Sequence, residues 1–296
     1  MNNPLRNRFE LQIKALKGFD FQDFIIELFL LKYGEKGFTV LRKQKDKGCD
    51  GIINDEKRVI ACYGPGTNNQ NKFNKKADDD FKDFQENWHI TYPNWMFVVN
   101  QEISPAYESK IKSLKSDALL LGLKQILFIV EGLKNYQRRK LAEYLKIETE
   151  FISSDYLAEI LEDLLKGSET ALDNIKYDTK GRINTEEKIA INYDKSDIEE
   201  AISEYGLLME SGSLKVVNDL LFGYEDEEID RMKHRILYDY VNLTSGNFKT
   251  RLKQLTEHYL VKYSSEKDDD YLHYIRAILI HLFEQCLLGN KTRQEK

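Results

Sequence analysis

Prolines are scarce in this sequence and are confined to its first part. All four, Pro4, Pro65, Pro93 and Pro105, lie within the first 105 of the 296 residues. Proline disrupts the interior of a helix because it lacks an N–H donor and clashes with the preceding turn. The chain beyond Phe151 can therefore be helical almost without interruption.

Cysteines and long apolar runs are also scarce. The three cysteines, Cys49, Cys62 and Cys286, form no Cys-x-x-Cys pair, which favours a reducing cytoplasm over a disulfide framework. The longest apolar runs are broken by Glu27 and Lys124 before they reach the roughly 18 residues that a membrane span needs. The opening residues lack the apolar core of a signal peptide. We expect a cytoplasmic protein with no membrane partner.

The net charge of −6 is distributed unevenly along the chain. Residues 1–150 carry 25 Lys and Arg against 21 Asp and Glu, and the remaining residues carry 19 against 29, so the two parts have net charges of +4 and −10. An acidic surface repels a phosphate backbone. The second part is therefore expected to contact a protein partner or to form the interface of a homo- or hetero-oligomer.

The pattern of the first half predicts an α/β domain over residues 1–150. In FDFQDFIIELFLLKYG the apolar side chains follow one helical stripe that ends at Gly34. Three segments are typical of short strands: FTVLRKQ, GCDGIIN and KRVIACY. Two others are typical of buried strands: NWMFVVNQ and QILFIVE. The predicted order, α-β-β-β-α-β-α-β-α, favours a mixed sheet flanked by helices.

The second half predicts an all-α domain over residues 151–296. Segments such as SSDYLAEILEDLLKG and DDYLHYIRAILIHLFEQCLLG place apolar side chains at helical spacing. No repeat period is evident. We interpret this half as a helical interaction or oligomerisation domain.

Two acidic residues of the first half are placed like the metal ligands of a nuclease. Asp50 ends a D-x-G-x-D run with Asp46 and Gly48 on the second predicted strand, and Glu27 lies in the first predicted helix. With the order of the elements, these residues make roughly positions 15 to 135 resemble the PD-(D/E)XK restriction-endonuclease-like superfamily, and its Mrr-type members in particular. The resemblance implies Mg²⁺ or Mn²⁺ held by Asp50 and Glu27, since such an ion polarises a phosphate and acidifies a water.

The third predicted strand departs from the pattern of that family. Where the family carries Gln/Glu-x-Lys, the spacing places Ala61 and Tyr63. Alanine offers no side-chain oxygen, and tyrosine, with a reference pKa of about 10, cannot replace an ammonium at pH 7. The catalytic set is therefore degenerate at these two positions.

A lysine from elsewhere could supply the missing cation. Lys72, Lys75 and Lys76, at the start of the following helix, are the candidates. The alternative is that they are solvated basic residues at a helix end.

A basic run precedes Asp50. Arg42, Lys43, Lys45 and Lys47 are candidate contacts to a nucleic-acid backbone, which is bound by clustered cations. The alternative is a solvated edge strand that lysines protect from pairing with another chain.

A segment of the second half carries a further resemblance. The stretch EKIAINYDKSDIEEAISEYGLLMESG, Glu187 to Gly212, resembles the carboxy-terminal helical domains of effectors in bacterial three-component defence systems related to Lamassu. The end of the third strand, ACYGP, also resembles the nuclease-related domains of such systems. The resemblance implies a role in defence against phages or plasmids beside an SMC-like ATPase partner.

Three functions remain as hypotheses. We favour a degenerate nuclease-fold protein that binds DNA or a partner complex without cutting and without a cofactor, because losing a positioned charge removes a few kcal/mol of transition-state stabilisation. The second is an active, metal-dependent DNA endonuclease with a displaced lysine. The third is a purely structural adaptor whose acidic helical half is the interacting part.

Overall fold

The chain folds into two compact units, Asn3–Glu148 and Thr149–Lys296. The computed structural model describes residues 1–41, 47–166, 183–243, 246–265, 269–285 and 287–290. In these ranges no helix combines the length and the apolar character that crossing a membrane requires. We refer to the two parts as the α/β unit and the helical unit.

A five-stranded mixed sheet forms the centre of the α/β unit. The strands pair in the order β1-β2-β3-β4-β5. The first three are antiparallel, and β3, β4 and β5 are parallel, so the predicted mixed sheet is confirmed. Its strands are β1 Phe38–Val40, β2 Gly51–Ile53, β3 Arg58–Tyr63, β4 Asn94–Val99 and β5 Leu119–Leu121, and its helices are α1 Asn3–Ala15, α2 Phe19–Gly37, α3 Gln70–Asn87, α4 Pro105–Leu114, α5 Leu123–Glu131 and α6 Asn135–Tyr144.

A tight hairpin joins β2 to β3 and fixes their register. Its turn closes with the Lys57 N–H donating to the Asn54 carbonyl at 3.1 Å, and Lys57 adopts a left-handed backbone with φ of 46°. The turn sets Gly51 opposite Ile60. The residue just before β2 therefore lies beside the last residues of β3, in the middle of the sheet.

An aromatic core fills one face of the sheet, under α3 and α4. Because side chains alternate between the faces of a strand, Trp95 and Phe97 of β4 share this face. Phe73 of α3 stacks on Tyr107 of α4 with ring centroids 3.8 Å apart. Burial of these large rings is the main stabilisation available to the unit, and it anchors α3 directly over β3.

The helix that follows β5 corrects one prediction. QILFIVE was expected as a strand, but it belongs to α5, and the strand is the preceding Leu119–Leu121. Gly122 separates the two elements, and its N–H donates to the Gln125 side chain at 3.2 Å as a helix cap. The buried positions of α5 then recur at helical spacing, at Leu123, Ile126, Leu127 and Val130. The predicted end of the first helix is approximately right, since α2 breaks its helical geometry at Gly34 but runs on to Gly37. Ser104 caps α4 by accepting the Tyr107 N–H.

Every element described in the second unit is helical, as predicted. The helices are α7 Thr149–Lys166, α8 Thr185–Asn192, α9 Ile198–Glu210, α10 Ser213–Leu221, α11 Asp226–Asn242, α12 Phe248–Leu260 and α13 Asp270–Glu284, with a short 3₁₀ helix at Val261–Tyr263. Helix α13 is buried along most of its length and contacts α7, α10 and α12. It is the central helix around which the others pack. Helices α1 and α8 were not predicted.

Candidate active site

Asp50 is built into the end of the β2–β3 hairpin. Its own N–H donates to the Ile60 carbonyl at 2.8 Å, and its side-chain Oδ2 accepts a hydrogen bond from the Cys62 N–H at 2.6 Å. Since β2 begins only at Gly51, a carboxylate oxygen takes the place of a strand carbonyl at this point of the ladder. Asp50 is buried, with 8% of its surface exposed. The acidic residue predicted from the sequence is therefore held rigidly against β3.

Helix α3 carries a second buried carboxylate, that of Asp80, and the ammonium of Lys76. Asn69 caps the helix by accepting the Lys72 N–H. Asp80 lies on the buried stripe of α3 and has a side chain that is only 6% exposed. The Lys76 ammonium, one turn earlier, lies 2.6 Å from Asp80 Oδ1 and remains 43% exposed. The helix thus carries an ion pair with its acidic end inside and its basic end at the surface.

The Cys62 thiol lies within electrostatic reach of all these groups. Burial raises its pKa well above the ordinary value, and the charge and hydrogen bond of Asp50 and the charge of Asp80 raise it further, whereas Lys76 opposes them. The thiol is therefore protonated at neutral pH and is a poor nucleophile or metal ligand. The charges of Asp50, Asp80 and Lys76 therefore all act on one buried thiol of β3.

The two substituted positions of the third strand lie beside this point. Ala61 is buried in the aromatic core. Tyr63 packs edge-on against Phe73, with ring centroids 6.3 Å apart. Burial raises the pKa of the Tyr63 phenol, and the positive charge of Lys76 opposes that rise. Tyr63 is neutral, as the sequence predicted, and a lysine lies close to it.

Among the three candidate lysines, Lys76 is the one whose charge acts on Cys62 and Tyr63. Lys72 and Lys75 are exposed on the same helix. Glu27 is half-buried on α2, and among the described residues it belongs to no group of three or more His, Cys, Asp or Glu side chains that could hold a metal ion.

The basic run is described only at its last member. Lys47 is exposed and has a left-handed backbone with φ of 51°, and its carbonyl accepts the Trp88 indole N–H at 3.0 Å. Gly48 follows, also left-handed, so close to α3 that an added Cβ would lie 2.9 Å from the Asp80 carbonyl. Arg42, Lys43 and Lys45 lie outside the described residues, as does Asp46.

The donor set is suited to a hydrated divalent cation. Within the described ranges no three His, Cys, Asp or Glu side chains are grouped to hold a metal ion. Mg²⁺, however, commonly binds through one or two carboxylates and keeps several of its waters. Asp50 and Asp80 are two buried carboxylates whose charges act on the same thiol, so they are the pair that could hold Mg²⁺ or Mn²⁺ in this way.

Asp80 was not predicted from the sequence to be a site residue. It belongs to the run Asp78-Asp79-Asp80, which looks like a solvated acidic stretch. A signal was nevertheless present, because Asp80 falls on the stripe of Phe73 and Ala77, where an acidic residue interrupts an otherwise apolar series.

No protein-family model, no curated protein and no solved structure matches this chain. Four residues define the candidate active site: Cys62 and the three side chains whose charges act on its thiol, Asp50, Lys76 and Asp80.

Proposed function

We propose that the α/β unit is a divalent-metal-dependent nuclease whose catalytic lysine comes from α3 instead of from the third strand. Three observations support this proposal: the ion pair of Lys76 with Asp80, the hydrogen bond from the Cys62 N–H to Asp50, and the effect of all three side-chain charges on the Cys62 thiol. Burying two carboxylates is unfavourable unless they are compensated. A pair of them at one point, with an ammonium beside it, is typical of a site that handles phosphate and a cation.

Each residue has a distinct role in this proposal. Asp50, fixed by the Cys62 N–H, and Asp80 would hold Mg²⁺ or Mn²⁺, which when bound polarises the phosphate and acidifies a water. Lys76 is half-exposed, so its ammonium can face a phosphodiester that approaches from solvent and stabilise the charge that develops on it. Cys62, as a protonated and buried thiol, contributes its backbone N–H and no chemistry of its own.

A second function is favoured by a different observation. Ala61 is part of the aromatic core, and Tyr63 is a neutral phenol, so the third strand lacks the catalytic side chains of the family that it resembles. A protein of this kind would bind DNA or a partner complex without cutting. A purely structural adaptor, acting through its acidic helical unit, is the third alternative.

The biological setting that we propose rests on resemblance alone. The segment Glu187–Gly212 and the end of the third strand suggest a component of a bacterial defence complex against phages or plasmids. DNA and an SMC-like ATPase are then the expected partners.

The decisive experiment is cleavage of supercoiled plasmid, linear DNA and RNA by the full chain with Mg²⁺ or Mn²⁺. Asp50→Asn, Lys76→Met and Asp80→Asn should each lower the rate by about two decades or more. Helix α3 offers matched controls at adjacent, exposed positions, Lys75→Met and Asp79→Asn, which should cut like the unaltered chain.

One outcome would contradict the nuclease and another the role given to Lys76. If the unaltered chain cuts none of the substrates but binds DNA, and binding survives Asp50→Asn, the protein is a binding platform. If cutting occurs but Lys75→Met abolishes it and Lys76→Met does not, the lysine has been assigned to the wrong residue.

A further inference from the structure

A second concave site lies between α2 and α5, apart from the candidate active site. It is a cleft of about 400 Å³ whose floor is formed by Met96 of β4 and by Leu119 and Leu121 of β5. Because side chains alternate along a strand, Met96 points away from the aromatic core that contains Trp95. None of the four residues of the candidate active site is among the described residues that line the cleft.

The wall of the cleft carries an exposed aromatic ring that the fold does not require. Phe128 of α5 lines the cleft and is 75% exposed. It lies outside the buried stripe of α5. A large apolar side chain at the mouth of an apolar concavity is typical of a ligand-binding site.

The rim of the cleft carries more positive than negative charge. Among the described residues, three charged side chains line the cleft, those of Lys32, Glu56 and Lys124. Glu56 is neutralised by Arg58, whose Nε lies 2.7 Å from its Oε2. Lys124 is only loosely paired, 3.8 Å from Glu102.

Lys32 is the cation with the least compensation. Its ammonium lies 4.7 Å from the centre of the Tyr33 ring, which orients it at the rim. Among the described residues no carboxylate forms an ion pair with it. The rim is therefore complementary to an anionic group placed above an apolar floor.

We propose that this cleft binds a small amphipathic anion. An aromatic or acyl body would lie on Met96, Leu121 and Phe128, and a carboxylate, sulfonate or phosphate would face Lys32. The volume lies near the lower end of the roughly 300–1,000 Å³ found for ligand pockets, which suits a small molecule better than a docked helix. The proposal is independent of any nuclease activity.

The test uses two fluorescent probes on the full chain. 8-Anilinonaphthalene-1-sulfonate carries an aromatic body and a negative charge, and N-phenyl-1-naphthylamine has a similar body without the charge. We expect saturable binding of the charged probe at one site, with displacement by decanoate. Phe128→Ala should weaken both probes by about tenfold, and Lys32→Gln should weaken only the charged probe, by about threefold.

Matched controls are available on α2. Phe19→Ala removes an equally exposed ring and Lys36→Gln an equally exposed lysine, both outside the cleft, and neither should change binding. Non-saturable binding, or equal losses in Phe128→Ala and Phe19→Ala, would overturn the proposal. So would equal weakening of the two probes by Lys32→Gln, since the anionic part of the ligand would then have no partner.

Discussion

The carboxylate of Asp50 and the backbone N–H of Cys62 are joined by a hydrogen bond of 2.6 Å that bridges two neighbouring strands. The side chain continues the β2–β3 ladder at the point where β2 has not yet begun. The Asp50 carboxylate therefore has two consequences: it stabilises the hairpin, and it places a negative charge beside Cys62, on which the charges of Lys76 and Asp80 also act. Stability and chemistry at this residue can be separated by choosing substitutions that preserve one and remove the other.

Asp50→Ala should destabilise the α/β unit by about 1–3 kcal/mol, because it leaves the buried Cys62 N–H without its acceptor. Asp50→Asn keeps an acceptor oxygen and should be destabilised less, although both variants lose cleavage. Urea unfolding of the two variants measures the difference. Asp55→Ala, in the exposed turn of the same hairpin, is the control and should change stability little. Equal destabilisation by Asp50→Asn and Asp50→Ala would mean that the carboxylate charge, and not the acceptor, is what the strand requires.

Asp80→Leu should leave the free energy of unfolding within about 1 kcal/mol of the original value or raise it, while cleavage is lost. The reason is that Asp80 lies on the apolar stripe of α3, where an apolar side chain is favoured. Its partner Lys76 is 43% exposed, so water can solvate the ammonium that remains and no uncompensated charge is left buried. Urea unfolding and the plasmid assay, run on the same preparations, test both parts. Asp79→Leu changes a neighbouring exposed carboxylate and should retain cleavage. A loss of stability above about 2 kcal/mol in Asp80→Leu would mark Asp80 as a structural residue.

Much of the α/β unit could be predicted because its signals are local. Short segments encode two of its elements: the apolar stripe of α2, the helix that contains Glu27, and the turn between β2 and β3. Both the helix and the turn form. The segment QILFIVE was wrongly predicted as a strand, because a continuous apolar run has no period that separates a buried strand from a buried helix. The helix cap between Gly122 and Gln125 favours the helix.

The candidate site was only half predictable for a different reason. Asp50 is marked by its own motif, but the partners of Asp50 come from α3, and their approach depends on how that helix packs on β3. Three lysines and three successive aspartates were available at its surface. The phase of the helix, set by Phe73 and Ala77, selects Lys76 and Asp80 from them, and helix phase is a tertiary property as much as a local one.

Gly48→Ala should destabilise the α/β unit by about 2–3 kcal/mol and lower cleavage. Gly48 has φ of +71°, and its added Cβ would lie 2.8 Å from the Asp83 Cβ and 2.9 Å from the Asp80 carbonyl, so the loop that leads into Asp50 must move. Gly212→Ala, in the helical unit, is the control: Gly212 has a left-handed backbone with φ of +73°, but an added Cβ would meet nothing within 4 Å. The control should lose only about 1 kcal/mol, from backbone strain. Similar losses in the two variants would show that contact with α3 does not constrain the loop.

The helical unit should lose stability as the pH rises above about 10, because it buries tyrosines that the unfolded chain can ionise. Burial raises the pKa of Tyr193 to about 12, with Arg276 opposing the rise. The pKa of Tyr263 is also raised, first by burial and then by its hydrogen bond to Asp163 and the charge of that carboxylate. Between the unfolded pKa of about 10 and the higher folded values, the folded state holds protons that the unfolded state releases. Stability is therefore unaffected below that window and falls through it.

Each such tyrosine contributes a slope of about 1.4 kcal/mol per pH unit within the window. Tyr263→Phe should remove one such contribution, so the dependence of the unfolding free energy on pH above about 10 becomes shallower. The measurement is urea unfolding, followed by helical circular dichroism, at several pH values on both sides of the window. Tyr238→Phe, at a position that is 43% exposed, serves as the control and should leave the slope unchanged. An unaltered slope in Tyr263→Phe would show that the Tyr263 phenol ionises as readily in the folded unit as in the unfolded chain.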